Sequence, residues 1–293
     1  MEKVKIPAYG KINLFLDIKN VREDGFHNLE MVMQSIKLHD NITLVPSKKG
    51  INIITDSKEI PTDESNLASQ AAKAVMQKTK IQKGVNIHID KNIPVAAGLA
   101  GGSADAAAVI KGMNQLFELD MDYKAMHELA AGLGSDVPFC IKGGTAFATG
   151  RGEILNWLSP LKKKWVILIK PPQKVSTKEV YQLYDKKNVD LEIPVQRLIK
   201  IIKDKDSLDI KDGWANVLEP VTKTIIDEIE VIEEKLIDQG FNFTMMTGSG
   251  PTVFSLIDKD QVDEAKEVVK NWDRPQDYVV LTETINEINS GPS

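Results

Sequence analysis

Three glycines fall within five residues, Gly98, Gly101 and Gly102, in the run PVAAGLAGGSADAAA (Pro94–Ala108), and a stretch of strong helix formers follows at once. A helix N-terminus exposes unpaired N–H groups and a partial positive charge, and glycine lets an anion come close to that backbone. The segment is built like a phosphate cradle. Ser103 and Asp105 fall in the first helical turn, where Ser103 could cap the helix, touch a phosphate oxygen or help to hold Mg²⁺. Two common loop designs are excluded: no Lys-Ser/Thr pair closes the run as in a Walker loop, and the spacing fails GxGxxG. A tight Ala/Gly packing corner fits the same composition.

A second segment, GLGSDVPF (Gly132–Phe139), sets Asp136 among turn formers. Pro138 disfavours helix at Val137, so Asp136 is expected on a stiff corner where its carboxylate could accept a proton; a solvated or capping Asp fits equally. TGSGPTVFSL (Thr247–Leu256) is a further glycine loop running into a strand, and an ordinary turn reads the same way. Lys11 heads the apolar strand KINLFL. The four histidines, His27, His39, His88 and His127, show no HExxH spacing, and there is no GxSxG elbow. Cys140 lies in an apolar stretch read as strand, the setting of an inert thiol. Hydrolase chemistry falls away.

These residues need elements to hold them. Lys11–Lys19, Asn41–Val45 and Ile51–Thr55 read as strands, and Thr62–Gln77 as a helix with Asp63, Glu64 and Ser65 supplying N-cap chemistry. Strand Val85–Ile89 feeds the glycine loop. Helices follow from about Ser103 to Leu116 and over Tyr123–Leu133, then a strand over Phe139–Phe147. The second half offers strand Trp165–Ile169, helix Val221–Gln239, strand-loop Phe243–Ile257, helix Gln261–Asn271, closing strand Asp277–Thr282 and a frayed tail Asn286–Ser293. Such irregular interleaving points to α+β rather than to a doubly wound parallel sheet. The polar, lysine-rich Leu155–Lys164 marks a boundary, giving expected domains 1–158 and 159–293.

Composition bounds the rest. A chain of 293 residues holds about two domains at ~100–200 residues each. With 42% hydrophobic and 27% charged residues it is expected to be folded and water-soluble. Against 42 acidic side chains stand 37 basic ones, a net −5, so no basic field suits a phosphodiester backbone and nucleic acid is not an expected partner. A single cysteine excludes an intrachain disulfide and a thiolate-built zinc site, and suggests a reducing, cytoplasmic setting. Apolar runs are strand-sized, far short of the ~20 residues of a membrane helix, so no membrane is expected either.

PVAAGLAGGSADAAA resembles the PxxxGLGGGSSDAA phosphate loop of the GHMP small-molecule kinases. Strand KIN, the glycine loop, GSDVPF and TGSGPTVF also stand in that family's order along nearly the whole chain. The stretch Arg22–His27 (REDGFH) is similar to the RxDGxH of the branch whose acceptor is a cytidine diphosphate-linked polyol. The resemblance implies a two-domain α+β fold with its active site in the cleft between an ATP-binding N-terminal domain and a smaller C-terminal one. It implies ATP, with Mg²⁺, as co-substrate and phosphoryl transfer to a hydroxyl of that small molecule; another small alcohol, of the homoserine or mevalonate type, is the alternative acceptor.

Roles follow residue by residue from the same resemblance. Asp136 matches the catalytic aspartate that orients or deprotonates the acceptor hydroxyl, and Lys11 the lysine that stabilises its charge and the charge developing in transfer. Pro94, Val95, Ala96, Ala97, Gly98, Leu99, Ala100, Gly101, Gly102, Ser103 and Ala104 match the ATP-phosphate loop, and Asn66 and Lys91 match positions near the nucleotide. Asn13, Phe26, His27, Thr177 and Tyr181 match positions around the cytidine diphosphate, where an aromatic ring stacks on cytosine and His27 reads its polar edge. Phe26 replaces the usual tyrosine and Met33 stands where an aromatic is frequent, so one side of the cytosine sandwich is expected to be softer.

Overall fold

Long strands open the chain in the computed structural model, which describes residues 2–187, 194–204 and 213–286. Strands β1 (Val4–Val21) and β2 (His27–Ser47) pair antiparallel from Val4 with Leu44 to Val21 with His27. The stretch read as a separate strand at Asn41–Val45 is the far end of β2. There β2 also pairs with β4 (Gly84–Asp90), which takes β3 (Ile51–Ile54) as a parallel edge. Helix α1 (Leu67–Thr79) starts at Asn66, whose side chain accepts from the Ala68 N–H, so the cap lies just beyond the Asp63–Ser65 cluster favoured by the sequence. Helix α2 (Gly101–Leu116) begins inside the glycines rather than at Ser103, and Ala100 at its N-cap position makes no side-chain cap.

One segment reverses its expected state. After α3 (Tyr123–Ala131), Val137–Lys142 forms helix α4 with a proline in its first turn, and only Thr145–Thr149 is strand (β5). Pro138 disfavours helix at the preceding residue, but a first helical turn lacks internal N–H partners and tolerates the ring, and that effect wins here. Cys140 is therefore buried in a helix. Strand β5 pairs with β2 and with β6 (Ile154–Trp157), which completes the N-terminal part of the first sheet.

The second sheet begins with β7 (Trp165–Lys170). After α5 (Thr177–Tyr184) and α6 (Val195–Asp204), β8 (Ala215–Asn216) crosses back to run parallel to β1 beside Phe15 and Leu16. The expected helix Val221–Gln239 is two pieces, α7 (Glu219–Thr222) and α8 (Glu228–Asp238). Strands β9 (Thr244–Met246) and β10 (Val253–Ile257), helix α9 (Val262–Lys270) and strand β11 (Tyr278–Glu283) give the order β11-β7-β10-β9, antiparallel throughout. The tail read as frayed lies, beyond Asn286, outside the described residues. No helix among those residues is long and apolar enough to cross a membrane.

Among the described residues two apolar clusters fill the interior, and the second matters most for the site. It joins Ile12, Leu14 and Phe15 of β1 to Val166, Leu168, Phe254 and Leu256 of the second sheet. Ile93, Ala97 and Leu99, which flank and interrupt the glycine loop, are buried in the same cluster. Burying a leucine is worth about 1.5–3 kcal/mol, so the loop is anchored by its apolar side chains.

Candidate active site

Strand β1 places Lys11 and Asn13 on one face and Ile12 and Leu14 on the other. Its ladder with β2 slips between Tyr9 and Lys11 and again between Asn13 and Phe15. Irregularities of this kind re-aim side chains, and here they bracket the two polar residues. Lys11, only 4% exposed, binds the glycine loop twice: its N–H donates to Leu99 O at 3.1 Å and its ammonium to Gly98 O at 2.9 Å. The ammonium also donates to Asn13 Oδ1 at 2.6 Å and lies 3.7 Å from Asp136 Oδ2. The Asn13 N–H donates to Thr247 Oγ1 at 2.9 Å.

Four distant segments thus meet around one ammonium group. The two glycine loops touch directly, since a Cβ on Gly98 would lie 2.3 Å from Thr247 O. Gly98 has φ +73°, and Ala96 and Ala100 on either side have φ 52° and 57°. Alanine pays for this left-handed geometry, and strain of that kind persists where surrounding structure enforces it. Gly101 does not adopt positive φ; its lack of a side chain serves close packing, with Ile93 Cγ2 3.1 Å from where a Cβ would sit. The N-terminus of α2, a helix of 16 residues, faces the cleft through Gly101, Gly102 and Ser103.

The cleft has a volume of about 970 Å³. It is lined by Lys11, Asn13, Phe26, His27, Asn66, Lys91, Asp136, Thr177, Tyr181 and most of Pro94–Ser103. Leu99 and Ala104 are exceptions within the loop, buried behind it. Met33 is fully buried in the core and cannot border a base. Met31 lines the cleft instead and accepts from Asn13 Nδ2 at 3.5 Å. Phe26 stands 53% exposed, with the Arg151 guanidinium 5.2 Å over its ring. Asn66 spends its amide on capping α1 and on Pro61 O. Thr177, at the start of α5, is tied to the second glycine loop by a 2.9 Å hydroxyl contact with Ser249. Asp136 occupies the N-cap position of α4 without making a side-chain cap, which leaves its carboxylate for the cleft.

Lys91 is held between two carboxylates, Asp40 and Asp105. Asp40 also accepts from the N–H groups of Asn92 at 2.6 Å and Ile93 at 2.8 Å, so one fully buried carboxylate fixes the turn that enters the glycine loop. Burial is the largest influence on Asp105 and, with Asp40 adding to it against the pull of Lys91, raises its carboxyl to about 7. Burial would lower the Lys91 ammonium, but its two carboxylates outweigh that and raise it. Tyr278 of β11 donates to Asn92 O at 3.0 Å and ties the second sheet to the same turn. Asp40, Arg151 and Asp185 are cleft or loop-supporting residues that motif reading passes over; of these, only Asp185 carries a sequence signal, one helical turn after Tyr181.

Comparison with known proteins finds relatives along most of the chain. Residues 66–144 match the GHMP kinases N terminal domain and residues 201–274 the GHMP kinases C terminal domain. The 4-diphosphocytidyl-2-C-methyl-D-erythritol kinase of Clostridium acetobutylicum is 42% identical over 283 residues, covering 96% of this chain and 100% of that protein. The enzyme of the same name from Bacillus pumilus is 47% identical over 254 residues, covering 86% and 87%. A crystal structure of 4-(cytidine 5'-diphospho)-2C-methyl-D-erythritol kinase superposes with a TM-score of 0.81 at 27% identity, covering 96% of this chain and 99% of that one.

Proposed function

The chain belongs to the 4-diphosphocytidyl-2-C-methyl-D-erythritol kinase family of GHMP kinases, and on that premise we propose that it phosphorylates the 2-hydroxyl of 4-diphosphocytidyl-2-C-methyl-D-erythritol with ATP. The products are the 2-phosphate and ADP, in the non-mevalonate route to isoprenoids. The observation that carries this reading is the meeting of Gly98 O, Asp136 and the Thr247 loop around the Lys11 ammonium.

ATP phosphates lie along Pro94–Ala104, where the α2 N-terminus and the loop N–H groups take their charge. The acceptor enters from the Phe26–His27 end, beside Tyr181. Asp136 accepts a hydrogen bond from the acceptor hydroxyl and aims its oxygen at the γ-phosphorus. As the new P–O bond forms and the bond to ADP breaks, the hydroxyl proton passes to Asp136. In a loose transition state positioning and electrostatics dominate, so Asp136 need not be a strong base. Lys11 holds the carboxylate in place and stabilises charge on the transferring group.

Mg²⁺ fits as an ion that arrives with the nucleotide. Among the described residues no group of three or more His, Cys, Asp or Glu could hold a metal, whereas Ser103 in the first turn of α2 and the unpartnered buried Oδ1 of Asp105 offer oxygens beside the loop. Bound there, the ion would neutralise phosphate charge.

The test is ADP release with ATP, Mg²⁺ and the cytidylyl polyol, run beside Asp136→Asn, homoserine and mevalonate. Turnover with the cytidylyl polyol alone, lost in the variant, supports the reading. Turnover with another alcohol only would overturn it.

A further inference from the structure

Helix α5 turns two side chains, one helical turn apart, onto a single imidazole. The Tyr181 ring centroid lies 4.9 Å from that of His27, and His27 Nε2 lies 2.7 Å from Asp185 Oδ1. His27 begins β2, is 8% exposed and lines the cleft. Asp185 occupies the C-cap of α5, where the helix dipole disfavours a carboxylate, so helix stability gives no reason for an acid at this position. Its partner across 158 residues of chain does.

A carboxylate only accepts, so Nε2 of His27 is the donor in this pair. In the neutral ring Nδ1 then keeps its lone pair. Nδ1 has no hydrogen-bond partner among the described residues and is not a buried orphan atom, so it is open to the cleft. We propose that Asp185 is a positioning residue for base specificity: by holding the proton on Nε2 it presents Nδ1 as an acceptor to the 4-amino group of cytosine. Uracil carries a 4-oxo group, which would set lone pair against lone pair. The proposal rests on the reading above for the base that enters this end of the cleft. It adds which residue orients the imidazole that meets that base.

The test reads binding and tautomer rather than turnover. With the ATP site saturated by a non-hydrolysable analogue, CDP and UDP are titrated calorimetrically into wild type and Asp185→Asn. In parallel, ¹⁵N shifts of labelled histidine are assigned to His27 by comparison with His27→Gln. Wild type is expected to carry the proton on Nε2 and to bind CDP at least about tenfold tighter than UDP, since a mismatched polar pair at a desolvated site costs that much. The amide of Asp185→Asn offers Nε2 a neutral acceptor or a donor in place of a carboxylate, so the ring proton is no longer held on Nε2 and Nδ1 becomes a weaker acceptor. The CDP preference should then narrow while affinity for the ATP analogue holds, a change that loosening of α5 alone would not produce. A wild-type ring protonated on Nδ1, equal binding of CDP and UDP, or an unchanged ratio in Asp185→Asn would each overturn the proposal. Asp185 is 43% exposed, so the variant is expected to fold. If wild type prefers CDP yet fails to turn over the cytidylyl polyol, the function proposed above fails and this assignment stands.

Discussion

Replacing Lys11 with methionine removes one charge and keeps most of the buried stem. The ammonium lies 3.7 Å from Asp136 Oδ2. Two unit charges about 4 Å apart interact by ~4 kcal/mol at an effective dielectric of about 20 and by ~1 kcal/mol in water. Asp136 is 30% exposed, so the interaction falls between those limits. The variant also strips charge-assisted donors from Gly98 O at 2.9 Å and Asn13 Oδ1 at 2.6 Å, and the first of these holds the glycine loop. We expect a loss of about 2–4 kcal/mol in transition-state stabilisation, a fall in kcat of roughly 30- to 1000-fold, with a smaller rise in KM for ATP. Losing a buried ammonium offsets part of the unpaired-acceptor cost, so the melting temperature should move by only a few degrees. Steady-state kinetics with both substrates and a calorimetric melt would be read together. If Lys11 and Asp136 act as one unit, adding Asp136→Asn to Lys11→Met costs little more than either change alone. A folded Lys11→Met protein with kcat within threefold of wild type would refute the role given to this lysine.

Other perturbations follow from the same contacts. Gly98→Ala combines φ +73° with a Cβ 2.3 Å from Thr247 O, and should cost about 2–5 kcal/mol in a calorimetric melt and weaken ATP binding. Gly102→Ala meets nothing closer than Leu67 Cδ1 at 3.7 Å, so it should fold at least as stably by the same melt, which isolates any effect on ATP affinity. Burial raises the Asp105 carboxyl to about 7, so the folded state binds more protons than the unfolded chain between about pH 4 and 7, and this group's contribution to stability falls as pH rises through that window. Urea melts at pH 5 and pH 8 should therefore show Asp105→Asn gaining on wild type at the higher pH, by about 2–3 kcal/mol, and a pH-independent difference would contradict this account. Burial also pushes the Cys140 thiol up to about 12, so thiol reagents should label it only after denaturation.

Much of the glycine loop's local structure was legible in the sequence because it depends on near neighbours. Glycine spacing followed by helix formers announces a helix N-terminus, and the order of KIN, GLAGGSADAAA, GSDVPF and TGSGPTVF carries the family resemblance. The α+β class was legible too, since period-2 and period-3.6 patterns interleave irregularly. Positions that depend on partners were not. Val137–Lys142 is apolar enough for either state, and packing against α2 and α3, together with a proline tolerated in the first turn, makes it helix. Met33 and Met31 look alike in sequence and both are buried on one face of β2, and only the tertiary arrangement leaves Met31 at the cleft wall while Met33 is wholly enclosed. Asp40 and Asp185 sit in no motif; each acquires its meaning from a group about 50 or more residues away, Lys91 for one and His27 for the other. A sequence sets the backbone conformations that neighbours along the chain can enforce. Which charge neutralises which, and which ring nitrogen meets a substrate, is decided by contacts between distant segments, because electrostatics and hydrogen bonds act over a few ångströms of space and not along the chain.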